Sequence, residues 1–277
     1  MKIDAHQHFW IYDQAQYPWM AGDNMAALRH NKLPADLTAE QIKVGFDGSI
    51  VVQARQTLEE SRWLLKLAET DDRIKGVVGW VDLRSENVAE ELAEFAGHPK
   101  FVGVRHVVQD EPDDRFILGE EFKRGVAQLK DLGLTYDILI YPKQLPASIE
   151  FARAFPDQPF VLDHIAKPFI KDGTRSPWDE QIRELAQLPN VLCKVSGMVT
   201  EADWENWKPE DFTPYLDIVV DAFGEDRLMV GADWPVCILA GSYERVMNVQ
   251  TNYFDQFSEE AKAKIFGANC LDFYGVR

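Results

Sequence analysis

The 277-residue chain is 46% hydrophobic and carries 29 lysines and arginines against 46 aspartates and glutamates, a formal net charge of −17. That acidity argues against nucleic acid or an anionic membrane as partner and leaves small solutes as the expected ligands. No basic segment followed by an apolar run opens the chain, no apolar stretch approaches a membrane span, and Cys193, Cys237 and Cys270 form neither a paired framework nor a C-x-x-C motif, so a soluble, reduced, cytoplasmic protein is expected.

Short β-rich runs alternate with helical patterns nearly to the end. The expected strands are Lys2–His6, Ser49–Gln53, Ile74–Val81, Phe101–His106, Thr135–Ile140, Phe160–His164, Val191–Val195 and Leu228–Asp233. Helical stretches lie around Leu58–Glu69, Asn87–Phe95, Glu120–Leu132, Leu145–Phe155, Trp178–Leu188 and Pro214–Phe223, and Glu259–Phe266 with Asn269, Phe273 and Tyr274 reads as a terminal helix sealing one end. With no internal repeat or domain linker, residues 1–277 are expected to form one α/β domain, a single (β/α)8 TIM-type barrel.

The first strand ends in His6-Gln7-His8. Side chains on a strand repeat with period two, so both imidazoles leave the same face, their Cα atoms about 6.6 Å apart, close enough to share a metal ion. Two hydrogen-bonded histidines at a strand end are the plainer reading. The last strand terminates in Asp233, before a proline that cannot continue a ladder. Only a closed barrel makes the first and last strands neighbours, and so brings Asp233 to His6 and His8.

Apolar strands make their polar residues conspicuous: Gln53, Trp80 and Asp82, Arg105 and His106, Tyr136 and Asp137, Asp163 and His164, Lys194 and Ser196. Most fall at C-terminal strand ends, the rim that carries active sites in this fold. Asp82 and Asp163 have an alternative duty in bonding loop backbone. Roughly 40 residues separate the first two strands, a segment bearing Trp10, Tyr12, Tyr17, Trp19 and Met20 and too aromatic for a solvated linker. It reads as a lid over the pocket, with Trp19 against the ligand, or else as an aromatic plug. A second long connection, Ala166–Pro177, also borders the rim with Lys167, Lys171 and Arg175.

Six motifs in order, D-A-H-Q-H-F-W at 4–10, Y-P-W at 17–19, G-V-R-H at 103–106, L-D-H-I-A-K-P at 162–168, C-K-V-S-G at 193–197 and G-A-D-W-P at 231–235, resemble the amidohydrolase superfamily. Within it they resemble the amidohydrolase 2 branch, and there most of all the lactonases of L-fuconolactone or L-rhamnonolactone. The resemblance implies a first-strand metal pair at His6 and His8, a sixth-strand histidine at His164 and an eighth-strand aspartate at Asp233. The usual fourth-strand lysine and fifth-strand histidine have no counterpart, which argues against a two-metal centre. One divalent ion, zinc or manganese, is the expected cofactor, with a metal-independent mechanism as the alternative.

The expected activity is opening of a small sugar lactone by water, which Asp233 activates as general base. His164 and His106 complete the expected catalytic set, with His6, His8, His164 and Asp233 the expected metal ligands. Lys194, Arg105, Trp19 and Trp234 are expected to bind substrate, although Lys194 has an alternative as a salt-bridge partner and Trp234 one in the core. A metal-dependent decarboxylase or amide hydrolase, and a non-catalytic binding barrel, are the rival readings; assembly into homo-oligomers is left open.

Overall fold

Apolar runs rich in valine and isoleucine, covered on one side by helices and on the other by one another, form the strands of this protein. The computed structural model describes residues 1–276. Its eight strands, β1 (Ile3–Gln7), β2 (Gly48–Val52), β3 (Ile74–Gly79), β4 (Phe101–His106), β5 (Thr135–Ile138), β6 (Phe160–Leu162), β7 (Val191–Val195) and β8 (Leu228–Val230), pair in parallel in sequence order. Between them run α1 (Pro34–Val44), α2 (Leu58–Thr70), α3 (Val88–Ala96), α4 (Glu120–Val126), α5 (Leu145–Ala154), α6 (Trp178–Ala186) and α7 (Pro209–Phe223), and α8 (Tyr243–Phe254) follows β8. This is the expected (β/α)8 barrel.

Closure happens just beyond the last strand. Gln7 and Trp234 form a parallel bridge, His8 N–H donates to Trp234 O at 2.7 Å, and Asp233 N–H donates to His6 O at 2.9 Å. Asp4 clamps the seam below them, its carboxylate accepting from the backbone of His6 (3.1 Å) and Ala232 (3.0 Å) and from the Tyr243 hydroxyl (3.0 Å). Burial drives the Asp4 carboxyl up to about 7 against these donors, with the charge of Asp233 adding to the rise.

The barrel interior is apolar at its lower end, where Ile3, Ala5, Ile50, Val52, Val78, Val102, Val161 and Met229 meet Cys270 and Tyr274. The last two arrive on the expected terminal cover, built from α9 (Glu259–Ala263), a π-helical turn and α10 (Asn269–Phe273). Two helices went unread in the sequence. α1 occupies the last part of the long connection between β1 and β2, entered at Pro34 with Asp36 accepting from Leu33 N–H at 2.9 Å and left at Gly45 with φ +76°. α8 is capped by the Ser242 hydroxyl. α7 starts at Pro209 rather than Pro214, since one proline near a helix start removes only one ladder bond.

The aromatic connection has a packed interior of its own: Trp10, Tyr17, Met20 and Leu28 are buried together, with Val236, Ile238 and Leu239 of the β8–α8 loop against them. Trp10 Nε1–H donates to His30 O at 3.0 Å. Trp19 alone of its three tryptophan and tyrosine neighbours here is substantially exposed, at 40%, its ring edge-on to Trp10 with centroids 5.9 Å apart.

Candidate active site

An extra residue in β1 creates the site. Asp4 pairs with Ser49 but Gln7 pairs with Val51, so three steps along β1 match two along β2. Such a bulge suspends strict alternation. Ala5 remains in the inner apolar cluster while His6, its neighbour, also turns into the barrel, and His8 follows two residues on. Gly231 makes room, because a Cβ there would lie 2.9 Å from both the Cβ and the backbone nitrogen of His6.

His6 Nε2 and His8 Nε2 lie 3.2 Å apart, and Asp233 Oδ1 lies 3.2 Å from His8 Nε2 and 3.8 Å from His6 Nε2. The other nitrogen of His8 sits 2.7 Å from Val52 O, which fixes a proton on Nδ1 and leaves Nε2 to the cluster. Asp233 is nearly buried, at 4% exposure. Burial works to raise its carboxyl, but the charges and hydrogen bond of His164, His8 and His6 outweigh it and hold Asp233 far below the ordinary aspartate value.

Strain concentrates here. His164, Ile165, Ala166 and Lys167 have φ of 55°, 49°, 59° and 51°, and Asp233 has φ 58°. Left-handed backbone costs L-residues about 1–2 kcal/mol each, and a run of four without glycine is exceptional. Lys167 N–H closes the turn on His164 O at 2.8 Å, and Trp178 Nε1–H pins it through Ile165 O at 2.8 Å. The turn places His164 Nδ1 2.9 Å from Ser196 Oγ and Nε2 3.9 Å from Asp233 Oδ1. Gly197, at φ +61°, is required beside it: a Cβ would lie 2.5 Å from His164 Nδ1. Burial lowers His164 to about 4, the carboxylates of Asp233 and Asp163 only partly offsetting it.

Beneath these groups lies an ionic cluster without exposure. Lys194 Nζ is 2.5 Å from Asp137 Oδ2, 3.0 Å from Asp163 Oδ1 and 3.2 Å from His6 Nδ1. Asp137 also accepts from the Tyr274 hydroxyl at 2.9 Å. Arg105 Nη1 donates to Asp163 Oδ2 at 3.0 Å and lies 3.1 Å from His6 Nε2, while Nη2 donates to Gln53 O at 2.5 Å. Burial opposes ionisation of Asp163, but Lys194, His6 and Arg105 prevail and hold it well below the usual range. Burial also dominates at Asp137, which rises to about 6 despite Lys194. Burial lowers Lys194, yet its two carboxylates keep the ammonium above the ordinary lysine value.

The structure therefore brings His6, His8, His164, Asp233 and Arg105 together and sorts the others elsewhere. Lys194 has the ion-pair alternative rather than a place against a ligand, since it is fully enclosed by protein carboxylates. His106 follows Arg105 on β4, so it faces the helices: Nε2 bonds Glu111 at 2.7 Å, the ring stacks on Phe116 at 4.9 Å, and Trp80 Nε1–H reaches Nδ1 at 3.4 Å. Trp234 is in the core, edge-on to Phe9 at 6.1 Å. Asp163, a rim residue with loop bonding as its alternative duty, is the hub that joins Arg105, His6 and Lys194. Its signal was its place on the inner face of a strand between two apolar residues and a histidine. Tyr274 and Asp4 carried no such signal, because their partners are distant in sequence.

Two triads in this arrangement offer ligand atoms all within 4.8 Å of one another: His6, His8 and Asp233, and His6, Asp163 and His164. Residues 3–276 match the family described as Amidohydrolase. The chain belongs to the amidohydrolase family. This amidohydrolase is 41% identical to an L-fucono-1,5-lactonase of Burkholderia multivorans over 100% of its own length and 96% of the relative's, and 37% identical to an L-fucono-1,5-lactonase of Burkholderia ambifaria over 99% and 96%. A crystal structure of a Burkholderia multivorans amidohydrolase with bound zinc superposes with a TM-score of 0.96 at 40% identity, covering 100% of both chains.

The first triad fits a zinc-sized ion. Bonds of about 2.0–2.2 Å from one centre imply donor separations near those seen, and imidazole with carboxylate is an ordinary zinc set. The expected quartet is instead two overlapping triads sharing His6, with His164 on the other one. Arg105 Nη1 approaches the same Nε2 of His6 that would bind an ion, so the two are competitors for one lone pair.

Proposed function

We propose that this amidohydrolase hydrolyses the ester bond of a six-membered sugar lactone, L-fucono-1,5-lactone being the first substrate to test. The observation that carries this reading is Asp233, an ionised carboxylate at the barrel seam 3.2 Å from His8 Nε2 and beside His6 and His164, in a chain whose full-length relatives bear that activity. Water attacks the lactone carbonyl as Asp233 takes its proton, and the proton then passes to the ring oxygen as the C–O bond breaks. The product is a hydroxy acid. His164, steadied by Ser196, borders Asp233 and holds its charge in place.

His8 has two available roles, both set by Val52 O: a lone pair on Nε2 toward an ion, or an N–H on Nε2 toward Asp233 or the developing oxyanion when the ring is protonated. A divalent ion held by His6, His8 and Asp233 would supply a localised positive charge that polarises the carbonyl. Asp163, 3.3 Å from His6 Nδ1, can accept its proton and so leave the Nε2 lone pair free toward the ion.

The test is a proton-release assay across a panel of sugar 1,5- and 1,4-lactones, with elemental analysis of the same preparation. Acid release on L-fucono-1,5-lactone far above its spontaneous rate supports the reading, and indifference to every lactone rejects it. About one zinc or manganese per chain, absent from a His6→Ala/His8→Ala variant, is the expected metal result.

A further inference from the structure

Along the rim from β5 to β8, one residue from each successive loop approaches the space beside Asp233. Tyr141 follows β5. Lys167 closes the left-handed turn after β6, and its Nζ lies 5.3 Å from the centre of the Tyr141 ring. Glu201 ends a short helical turn after β7, Met198–Glu201, which packs against the turn Val236–Leu239 directly after Asp233. The two loops are tied, since Lys171 N–H donates to Glu201 O at 2.9 Å.

Most charged groups nearby have a charged or ionisable protein neighbour: Asp163 has Arg105 and Lys194, Asp233 has His8, and His106, on the helix side, has Glu111. Lys167 and Glu201 have no such contact. Among the described residues the Lys167 ammonium has only the Tyr141 ring, and the Glu201 carboxyl has no hydrogen-bond partner and feels Lys167 only at a distance. Each nevertheless feels the other, and each feels the cluster: Lys167 acts on His164, and Asp233 on Glu201. Burial raises the Glu201 carboxyl; Lys167 pulls it back, Asp233 adds to the rise, and it settles at about 7. Both groups are half-buried and lack protein partners on two loops that the Lys171–Glu201 backbone bond ties together, so a polar ligand lying between those loops can pair with both.

We propose that Lys167 and Glu201 together grip adjacent ring hydroxyls of the substrate and determine which sugar stereoisomer is accepted. This rests on the lactone reading above and adds the specificity element to it. An ammonium offers three donors and a carboxyl two acceptor oxygens, so one vicinal diol satisfies both. Tyr141, beneath the ammonium, presents a ring face that holds the lysine in place and gives the sugar's C–H surface an apolar neighbour. A site that reads a hydroxyl in this way rejects an epimer at either carbon of the diol, because the inverted hydroxyl leaves one of the two groups unpaired.

The experiment compares Glu201→Gln, Lys167→Met and the double variant with the wild-type protein on two epimeric sugar 1,5-lactones and on δ-valerolactone, which has no ring hydroxyls. Calorimetric binding of a sugar lactam, which resists hydrolysis, runs beside it. Each single variant is expected to raise KM for the preferred sugar lactone about tenfold with kcat within about threefold, and to weaken lactam binding to match. The double variant is expected to lose little more than either single one, since both hold one diol. Epimer discrimination should shrink in all three, and any activity on δ-valerolactone should not change. Lys167→Arg, which keeps the charge, should recover part of the loss.

Unchanged KM and lactam binding in the single variants, or equal losses on sugar lactones and δ-valerolactone, overturn the proposal. A kcat loss with epimer discrimination intact also overturns it. A wild-type protein that opens no lactone, yet binds the lactam in a Glu201- and Lys167-dependent way, overturns the hydrolytic reading and leaves the gripping pair standing.

Discussion

The barrel contains two clusters made from the same kinds of side chain that face opposite demands. In the deep one, Asp137, Asp163 and Lys194 are completely enclosed and ion-paired with each other, with Tyr274 and Arg105 completing the set. In the one at the rim, Asp233 Oδ1 lies 3.2 Å from His8 Nε2, 3.8 Å from His6 Nε2 and 3.9 Å from His164 Nε2, with strained backbone under His164 and Asp233. Mutual ion pairing makes a buried charge structural, whereas convergence of unsatisfied lone pairs makes it reactive. His6 is the hinge between the two, one nitrogen toward Lys194 and Asp163 and the other toward His8 and Arg105.

The largest expected effect tests the rim. Asp233→Asn keeps the shape but cannot accept the proton of water, so kcat on the lactone should fall about 10²–10⁴-fold with Tm nearly unchanged. More than a tenth of wild-type turnover would put the general base elsewhere.

The deep cluster should answer in the opposite way. Lys194→Met leaves Asp137 and Asp163 buried without their shared cation, a loss of about 3–5 kcal/mol. At about 2–4 °C per kcal/mol, the melting temperature should drop by on the order of 10 °C. A variant that melts normally and yet is inactive would move Lys194 to the reacting centre and erase the distinction between the clusters.

The pH dependence sharpens the comparison further. His164 titrates at about 4 in the folded protein, below its unfolded value of about 6.5, so between these limits the unfolded chain binds more protons. Its contribution to stability is complete above about pH 6.5 and is lost as the pH falls toward 4, roughly 3 kcal/mol in all. Urea titrations at pH 7 and pH 5 should show the loss beginning, and His164→Asn should flatten that part of the slope. An unaltered slope in the variant would show that His164 is not the group responsible.

The smallest effect concerns the aromatic connection. Trp19 is the exposed outer partner of a buried Trp10, so Trp19→Ala should lower kcat/KM by an amount equivalent to about 1 kcal/mol, if its ring touches the ligand, with Tm shifting by no more than about 2 °C. A drop of several degrees with normal kinetics would instead join Trp19 to the plug formed by Trp10, Tyr17 and Met20.

The sequence by itself determined the barrel, because eight apolar runs of strand length separated by helical patterns are local signals of periodicity. It also determined the seam: H-x-H on the first strand and Asp233 after the last can meet only when the sheet closes. What the tertiary structure alone decided is how the charged residues divide. Nothing near Lys194 in the chain shows that Asp137 and Asp163 converge on it, because the three come from β5, β6 and β7 and meet only inside the closed cylinder. Arg105 and His106 are adjacent in sequence, yet the pleat sends one to Asp163 and the other to Glu111. His6 enters the cluster through a bulge that period-two alternation does not encode. Periodicity is written along the chain, while ion pairing depends on which strands face one another across it, and that is settled only when the barrel closes.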